Sequence, residues 1–509
     1  MRAGKGWLPS VVALLLLMIA APVWAQEDGW SEPVQISPPD LNGWFGDPAV
    51  DSRGDVHVVW DAVYPPASPG EEGIGVTLYA VRHEGRWRAA NDIEVHDITA
   101  VARPAIACDG ADRLHLLFRR HQAVYYTQAR AELAWSARAW REPHRISGLF
   151  STYIPDLLIG PDGTIHAFWA EWVPVTLSEE ERFREQRSPY LADIFYRASR
   201  DGGAHWSKAV NLSQTPNVGS GRVSVAMDGL GGLHVAWDEG WDRVSLDGEP
   251  QRVAYAHSLD GGMTWSEPLV FSPTGETYAQ MTVGTGRDGQ VLLVWRTLTS
   301  NRLLYAHSED RGSTWSEPQP IPGFYARLWR SPFDAYDMAT DALGRIHLVA
   351  VGDTSPTTPR SPESLYHLVW DGERWSEIEP VALYPGPANP EFPRITIEKG
   401  YRLHVVWFVR PEGIVTQGVK VWYAERALDD VEPRPQPTWT PTPMPSPTVT
   451  PPPAPTPTVT PTPLPSDHGG SPPGADLYTE SDELRILLIS LAGLFVVLLA
   501  VVVSRLLRR

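Results

Sequence analysis

Residues 228–237 read Asp228-Gly-Leu-Gly-Gly-Leu-His234-Val-Ala-Trp237. A glycine turn leads into a short alternating strand that ends on a tryptophan. The same strand recurs as His57-Val-Val-Trp60, His166-Ala-Phe-Trp169 and His404-Val-Val-Trp407. It recurs in weaker form as His115-Leu-Leu-Phe118, Leu292-Leu-Val-Trp295 and His347-Leu-Val-Ala350. A period of about 50 to 68 residues is the mark of a repeat architecture. Outward from each copy the pattern is constant. A short apolar strand precedes it, such as Pro104-Ala-Ile-Ala-Cys108. A third strand follows with a tyrosine: Tyr79, Tyr126, Tyr196, Tyr255, Tyr305, Tyr366 and Tyr423. A fourth opens on Trp87, Trp140, Trp206, Trp265, Trp315 or Trp375.

Four short strands joined by Gly/Asp turns make an antiparallel meander, and meanders repeated radially make a β-propeller. The expected fold is all-β, with seven blades of four antiparallel strands. The seventh repeat ends at Tyr423-Ala-Glu without a fourth strand, while Gly29-Trp30-Ser31-Glu32-Pro33 matches Trp265-Ser-Glu-Pro268. The N-terminal strand is therefore expected to complete the last blade and remove an open edge.

The ends of the chain are different in kind. Arg2 and Lys5 precede an apolar run, Val11 to Ala21, and Ala-Pro-Val-Trp-Ala25 before a polar break, which reads as a secretory signal over 1–25. The propeller spans 26–430. Residues 431–483 are a Pro/Thr-rich stalk, since proline removes donors and holds the chain extended. Residues 484–504 form an expected transmembrane helix: Ile486 to Val503 is uncharged over 18 residues, and Arg505, Arg508 and Arg509 in the tail 505–509 keep it cytoplasmic. The expected location is a single-pass cell-surface protein with the propeller outside. The chain has 49 prolines and 22 tryptophans; the proline excess is local to the stalk, whereas the tryptophans recur with the repeats. A net charge of −18, from 43 Lys+Arg and 61 Asp+Glu, disfavours a nucleic-acid partner. A single cysteine, Cys108, excludes internal disulfides and reads as a core side chain.

Two turns carry a more specific pattern, Ser258-Leu-Asp260-Gly-Gly262-Met-Thr264-Trp265 and Ser308-Glu-Asp310-Arg-Gly312-Ser-Thr314-Trp315. A third, Ser199-Arg-Asp201-Gly-Gly203-Ala-His205-Trp206, has His in place of Thr. These resemble the Asp boxes (BNR repeats) of the sialidase (neuraminidase) superfamily. The resemblance implies that the boxes are structural and lie opposite the ligand face. It also implies a six-bladed sialidase-type propeller as the alternative count.

Ligands of such a propeller bind near the axis, where first strands start and second strands end. The first-strand starts are Asp47, Arg103, Asp156, Arg222, Gln280, Asp337 and Arg394; the second-strand ends are Asp61, Arg119, Glu171, Asp238, Arg296, Asp353 and Arg410. Arg103, Arg222 and Arg394 are the expected ligand-binding cations, since guanidinium groups bind carboxylates through paired hydrogen bonds. Asp47, Asp156 and Asp337 are the acid/base candidates, with Tyr325 beside them. The alternative is a ring of mutually neutralising charges. Tyr64, Trp172, Trp241, Tyr325 and Trp329 suit stacking on sugar rings. Sialidases hold the substrate carboxylate with three arginines, the first in an Arg-Ile-Pro motif. Here Phe45-Gly-Asp47-Pro48 stands instead, and Phe392-Pro-Arg394-Ile is a scrambled echo. The expectation is a cell-surface propeller that recognises glycans, glycoproteins or other extracellular ligands without sialidase activity. The alternative is a glycoside hydrolase or lyase acting on acidic glycans. No metal or cofactor is expected.

Overall fold

The computed structural model describes residues 29–434 except 67–72, 97–102, 121–122, 149–154, 186–188, 241–249, 273–274, 328–335, 357–362, 385–387 and 412–417. The expected signal sequence, the stalk from 435 onward, the C-terminal helix and its tail lie outside the described residues, as do Trp241 and Trp329.

Each repeat folds as a meander of neighbouring strands. In the third, Asp156–Ile159, Ile165–Pro174, Tyr190–Ser199 and Val210–Asn211 pair in chain order, all antiparallel. Among the described residues there are four such four-stranded sheets, one five-stranded sheet and one eight-stranded sheet. The first strands pack side by side in a closed circuit. Asn42–Val50 lies against Ala105–Cys108, then come Asp156–Ile159, Gly219–Met227, Tyr278–Thr285, Tyr336–Thr340 and Ala388–Glu398, which returns to Asn42–Val50. The arrangement is an all-β propeller.

The chain closes on itself. Val34–Gln35 pairs antiparallel with Lys420–Ala427, Val34 opposite Tyr423. Ser31 N–H donates to Glu425 O at 2.8 Å, and Ile36 N–H to Val421 O at 2.9 Å. The Trp30 ring meets His367 edge-on at 5.3 Å.

The recurrent histidine has a structural cause. His57, His115, His166, His234 and His404 are buried, and each Nδ1 shares a hydrogen bond with the hydroxyl of its blade's tyrosine, at 2.6 to 2.8 Å. On its other side, Nε2 faces the acid that opens the preceding turn: Asp109 and Asp228 at 3.2 Å, Asp51 and Glu398 at 3.5 Å. That acid also caps its own turn. Asp228 Oδ1 accepts from the N–H groups of Leu230 and Gly232. Turn, strand two and strand three are thus joined by one acid–imidazole–phenol chain. Repeat six keeps the chain with His367 in place of tyrosine, His347 Nδ1 lying 2.9 Å from His367 Nε2. Repeat five drops the imidazole, with Leu292 at that place, and Tyr305 donates to Gln319 instead.

The tyrosine also seats the next blade. The Asp-box tryptophans Trp206, Trp265 and Trp315 meet Tyr126, Tyr196 and Tyr255 edge-on at 5.2, 5.0 and 4.9 Å. Gly203, Gly262 and Gly312, all at positive φ, lie directly over the same phenols. Inside the box, Ser258 Oγ donates to Asp260 Oδ1 at 2.8 Å and accepts from Gly262 N–H at 2.9 Å, while Thr264 Oγ1 donates to Asp260 Oδ2 at 2.5 Å. In the third box, His205 Nδ1 takes the threonine's place against Asp201 Oδ2 at 2.6 Å. A Cβ on Gly262 would stand 1.9 Å from Tyr196 Oη, whereas one on Gly261 meets nothing within 4 Å. Gly262→Ala is therefore expected to cost about 3 kcal/mol or more, and Gly261→Ala only the left-handed penalty of about 1 kcal/mol. Urea midpoints of the two variants check this, and equal losses would rule the packing account out.

The chain leaves the propeller on the Asp-box face. Asp430 pairs with Arg345 and Arg434 N–H donates to Lys399 O at 2.9 Å, both partners lying at turns between first and second strands.

Candidate functional site at the axial funnel

The pairing register decides which axial residues share a level. Asp47, Asp156, Asp337 and Arg394 lie opposite Val59, Phe168, Val349 and Val406, each one residue before the tryptophan position of strand two. Ala105, Ser224 and Thr282 hold that level in the remaining repeats. Arg394 is therefore in the layer of the three aspartates. Arg103 and Arg222 stand two residues earlier, with Phe45, Gln280 and Phe392. The three arginines, placed at similar positions by sequence alone, occupy two different levels.

The offset has a backbone cause. First strands of repeats one, four, five and seven slip register between Trp44 and Asp47, Gly221 and Ser224, Ala279 and Thr282, and Glu391 and Arg394. At each slip one residue takes a left-handed conformation: Phe45 (φ 56°), Arg222 (φ 58°), Gln280 (φ 55°) and Phe392 (φ 52°). Bulges of this kind re-aim side chains, and left-handed non-glycine residues concentrate where function over-determines the backbone.

The layer of aspartates also stitches blades together. Asp47 Oδ2 accepts from Ile106 N–H at 2.7 Å, and Asp337 Oδ2 from Ile395 N–H at 3.0 Å, each donor belonging to the next blade. Ser224 does the same for Val283 at 3.3 Å. Burial, opposed by Arg394 and reinforced by the charges of Asp156 and Asp337, pushes the Asp47 carboxyl up to about 7. Arg394 lies 3.6 Å from Asp337 and 4.3 Å over the Phe392 ring. Arg103 is buried between Phe45 and Phe392, at 4.5 and 5.1 Å from their centroids. Arg222, also buried, pairs with Asp238 at 3.4 Å. Removing Arg222 therefore costs stability as well as charge, contrary to a freely replaceable ligand cation.

Tyr325 is not in this layer. It lies in Gln319–Ala326, the fourth strand of repeat five, opposite Asp353 of repeat six and beneath the guanidinium of Arg302.

A further set of charges was not visible in the sequence as a group. Arg410 grips Glu391 through two hydrogen bonds, at 2.9 and 3.0 Å. Arg327 reaches Glu391 at 3.4 Å and Glu363 at 3.6 Å. Arg410 and Arg296 are recognisable as second-strand ends, but Glu391 stands inside the first strand of repeat seven, just before its bulge and opposite Phe408, and Arg327 and Glu363 sit in connections where no periodicity marks them. A narrow gap of about 10 Å³, room for about one water, lies among Arg222, Ser224, Gln280, Thr282, Tyr336 and Arg394. Among the described residues no group of three or more His, Cys, Asp and Glu is placed to hold a metal ion. The site offers cations, one carboxyl poised near neutrality and polar walls. That combination suits an acidic, hydroxyl-rich ligand.

A family model described as a BNR repeat-like domain matches residues 151–405. No curated protein matches the sequence. Among solved structures, a protein of unknown function from Dyadobacter fermentans is similar at 15% identity and a TM-score of 0.47, over 78% of this chain and 99% of that one. An α-L-arabinanase of Penicillium chrysogenum, complexed with arabinobiose, is similar at 13% identity and a TM-score of 0.42, over 79% and 100%. The NanB sialidase of Streptococcus pneumoniae is similar at 13% identity and a TM-score of 0.41, over 80% and 71%.

Proposed function

Because this chain belongs to the BNR repeat-like domain family, we propose that it is a seven-bladed, sialidase-like propeller that binds acidic extracellular glycans at its axial funnel. The observation that carries the reading is the level shared by Asp47, Asp156, Asp337 and Arg394, with left-handed bulges that set Arg222 and Gln280 beside it. Support for seven blades comes from the circuit of first strands and from the eight-stranded sheet. Among the described residues, that sheet is two repeats joined where Tyr325 and Ala326 meet Asp353 and Gly352. The signal sequence, Pro/Thr stalk and C-terminal apolar helix make the protein a single-pass cell-surface receptor in this reading. Protease treatment of intact cells is then expected to shed the propeller as a soluble fragment. A propeller protected until lysis would sink the topology.

Binding is tested by probing an array of sialylated, uronic-acid and sulfated glycans with the full-length chain. Arg222→Lys keeps the charge but loses the planar fork, and is expected to weaken binding about tenfold. An array that stays blank for the wild-type chain refutes the reading.

One observation favours a second reading. The Asp47 carboxyl, pushed up to about 7 by burial and held near the carboxyls of Asp156 and Asp337, is placed to give or take a proton near neutral pH, as general acid–base hydrolysis or elimination requires. A panel of fluorogenic glycosides and uronides tests it: turnover lost in Asp47→Asn supports a hydrolase or lyase, and no turnover by the wild type excludes these substrates.

A further inference from the structure

Repeat two has no Asp box. In repeats three, four and five the box glycine covers the preceding blade's phenol, Tyr126, Tyr196 or Tyr255. The corresponding turn of repeat two carries two single 3-10 turns instead, Ala131–Leu133 and Ala137–Ala139. Trp140 still meets Tyr79 edge-on, at 6.2 Å, but among the described residues no glycine covers that phenol. The gap between blades one and two stays open as a groove of about 730 Å³, whose walls include Arg53, Tyr79, Arg86, Trp87, Arg88 and Trp135. Ligand sites fall between about 300 and 1,000 Å³. The Arg88 guanidinium lies 3.6 Å over the Trp135 ring. Of the acids in the groove, Asp55 is taken by His83 at 2.8 Å and Glu132 by Arg130 at 2.9 Å. Indoles and guanidinium donors together suit a partner that is apolar and rich in acceptors.

The chain itself supplies such a partner. The described residues end at Arg434, whose N–H donates to Lys399 O at 2.9 Å on the face where the groove opens. The adjoining Glu398 carboxyl lies against Gly54, next to Arg53 of the groove. Trp87, another wall, meets Tyr423 of the last blade edge-on at 4.9 Å. The sequence continues Pro435-Gln-Pro-Thr-Trp439-Thr-Pro-Thr442, and Trp439 is the only tryptophan of the stalk. Proline leaves this segment with carbonyl acceptors and few N–H donors. Aromatic grooves take such segments because little order is lost on docking. Packed sheets stand about 10 Å apart and five extended residues span about 15 Å, so Trp439 reaches from blade seven across blade one.

We propose that residues 435–442 dock in this groove, with Trp439 against Trp87, Trp135 and the Arg88 guanidinium. The propeller thus clamps the root of its own stalk at a blade gap that no Asp box fills.

The test is chymotrypsin, which cuts after Trp439, on the full-length chain made without O-glycosylation and held in detergent micelles. The fragment beginning at Thr440 is followed by mass spectrometry. The bond is expected to be cut at least tenfold more slowly than in a synthetic peptide of residues 433–444, at every protein concentration. Trp135→Ala and Arg86→Glu are each expected to restore the peptide's rate. Arg86 is exposed, so its variant folds and stands in if Trp135→Ala does not. Wild-type cleavage at the peptide's rate, or protection that survives in the folded variants, overturns the proposal. Protection lost on dilution overturns it too, because the occupant of the groove is then a second copy.

Discussion

Deleting residues 26–36 is expected to lower the thermal midpoint by about 6 °C or more and to make the propeller aggregate. The segment supplies the outer strand of the last blade. Its removal loses the pairing of Val34 with Tyr423, the reciprocal bonds between Ser31 and Glu425, and the bond from Ile36 N–H to Val421 O. It also strips Trp30 from His367. At about 1 kcal/mol per hydrogen bond, with a few more for the tryptophan, the loss is roughly 5 kcal/mol or above. At about 2.1 cal/mol/K of unfolding entropy per residue, that is on the order of 6 °C for a propeller of this size. The loss is compounded because the edge of Lys420–Ala427 is then bare, and unpaired strand edges recruit other chains. Calorimetry and light scattering on the full-length chain and the deletion measure both effects. An unchanged midpoint would show that the closing strand is decorative.

Acid is expected to unfold the protein well before its surface carboxylates are neutralised. Burial holds His166 down from its ordinary 6.5 to about 4. His347, His367 and His404 are also held below their ordinary value, chiefly by burial. These imidazoles are neutral when folded and take a proton readily when unfolded. Their contribution is complete above about pH 6.5 and is lost as pH falls towards 4, about 3 kcal/mol for His166 alone. The turn acids continue the loss. Burial alone would raise Asp51, Asp109, Asp228 and Asp341, but bonds from the imidazoles and turn N–H groups outweigh it and hold them low. Their contribution is present above the ordinary carboxylate range and disappears below it. Asp47 works in the opposite sense: with its pKa raised to about 7, its contribution is present in acid and is lost as pH rises through 7. One carboxyl against several imidazoles and acids leaves a maximum near pH 6 to 7. Urea midpoints from pH 8 to pH 4 test the slope. His166→Leu, which copies the Leu292 of repeat five, is expected to be less stable at pH 7 because Tyr196 loses its partner. It is also expected to lose stability less steeply below pH 6.5, by about one proton. An identical slope in the variant would mean the imidazole chain does not govern acid sensitivity.

What the sequence alone determined is everything written locally. The alternation that ends in Trp60, Trp169, Trp237 and Trp407 specifies strands because a pleated strand turns one side inward every second residue. The glycines at 203, 262 and 312 specify their turns because only a residue without Cβ can sit over a phenol at positive φ. Trp30-Ser-Glu-Pro33 announces its place by matching other fourth strands, so the closure between residues 31 and 425 is legible across the whole chain. The axial site is legible only as an inventory of charged residues at strand ends. Which of them meet was decided by tertiary structure. Bulges at Phe45, Arg222, Gln280 and Phe392 shift the register by a step that no periodicity records, and this puts Arg394, not Arg222, among the aspartates. The pairing of Arg327 with Glu363 and Glu391 joins residues from different repeats and their connections. Which arginine meets which acid, as Arg222 meets Asp238 at 3.4 Å, is visible only in the fold, because a counter-charge is a matter of distance in the folded chain and not of position along it.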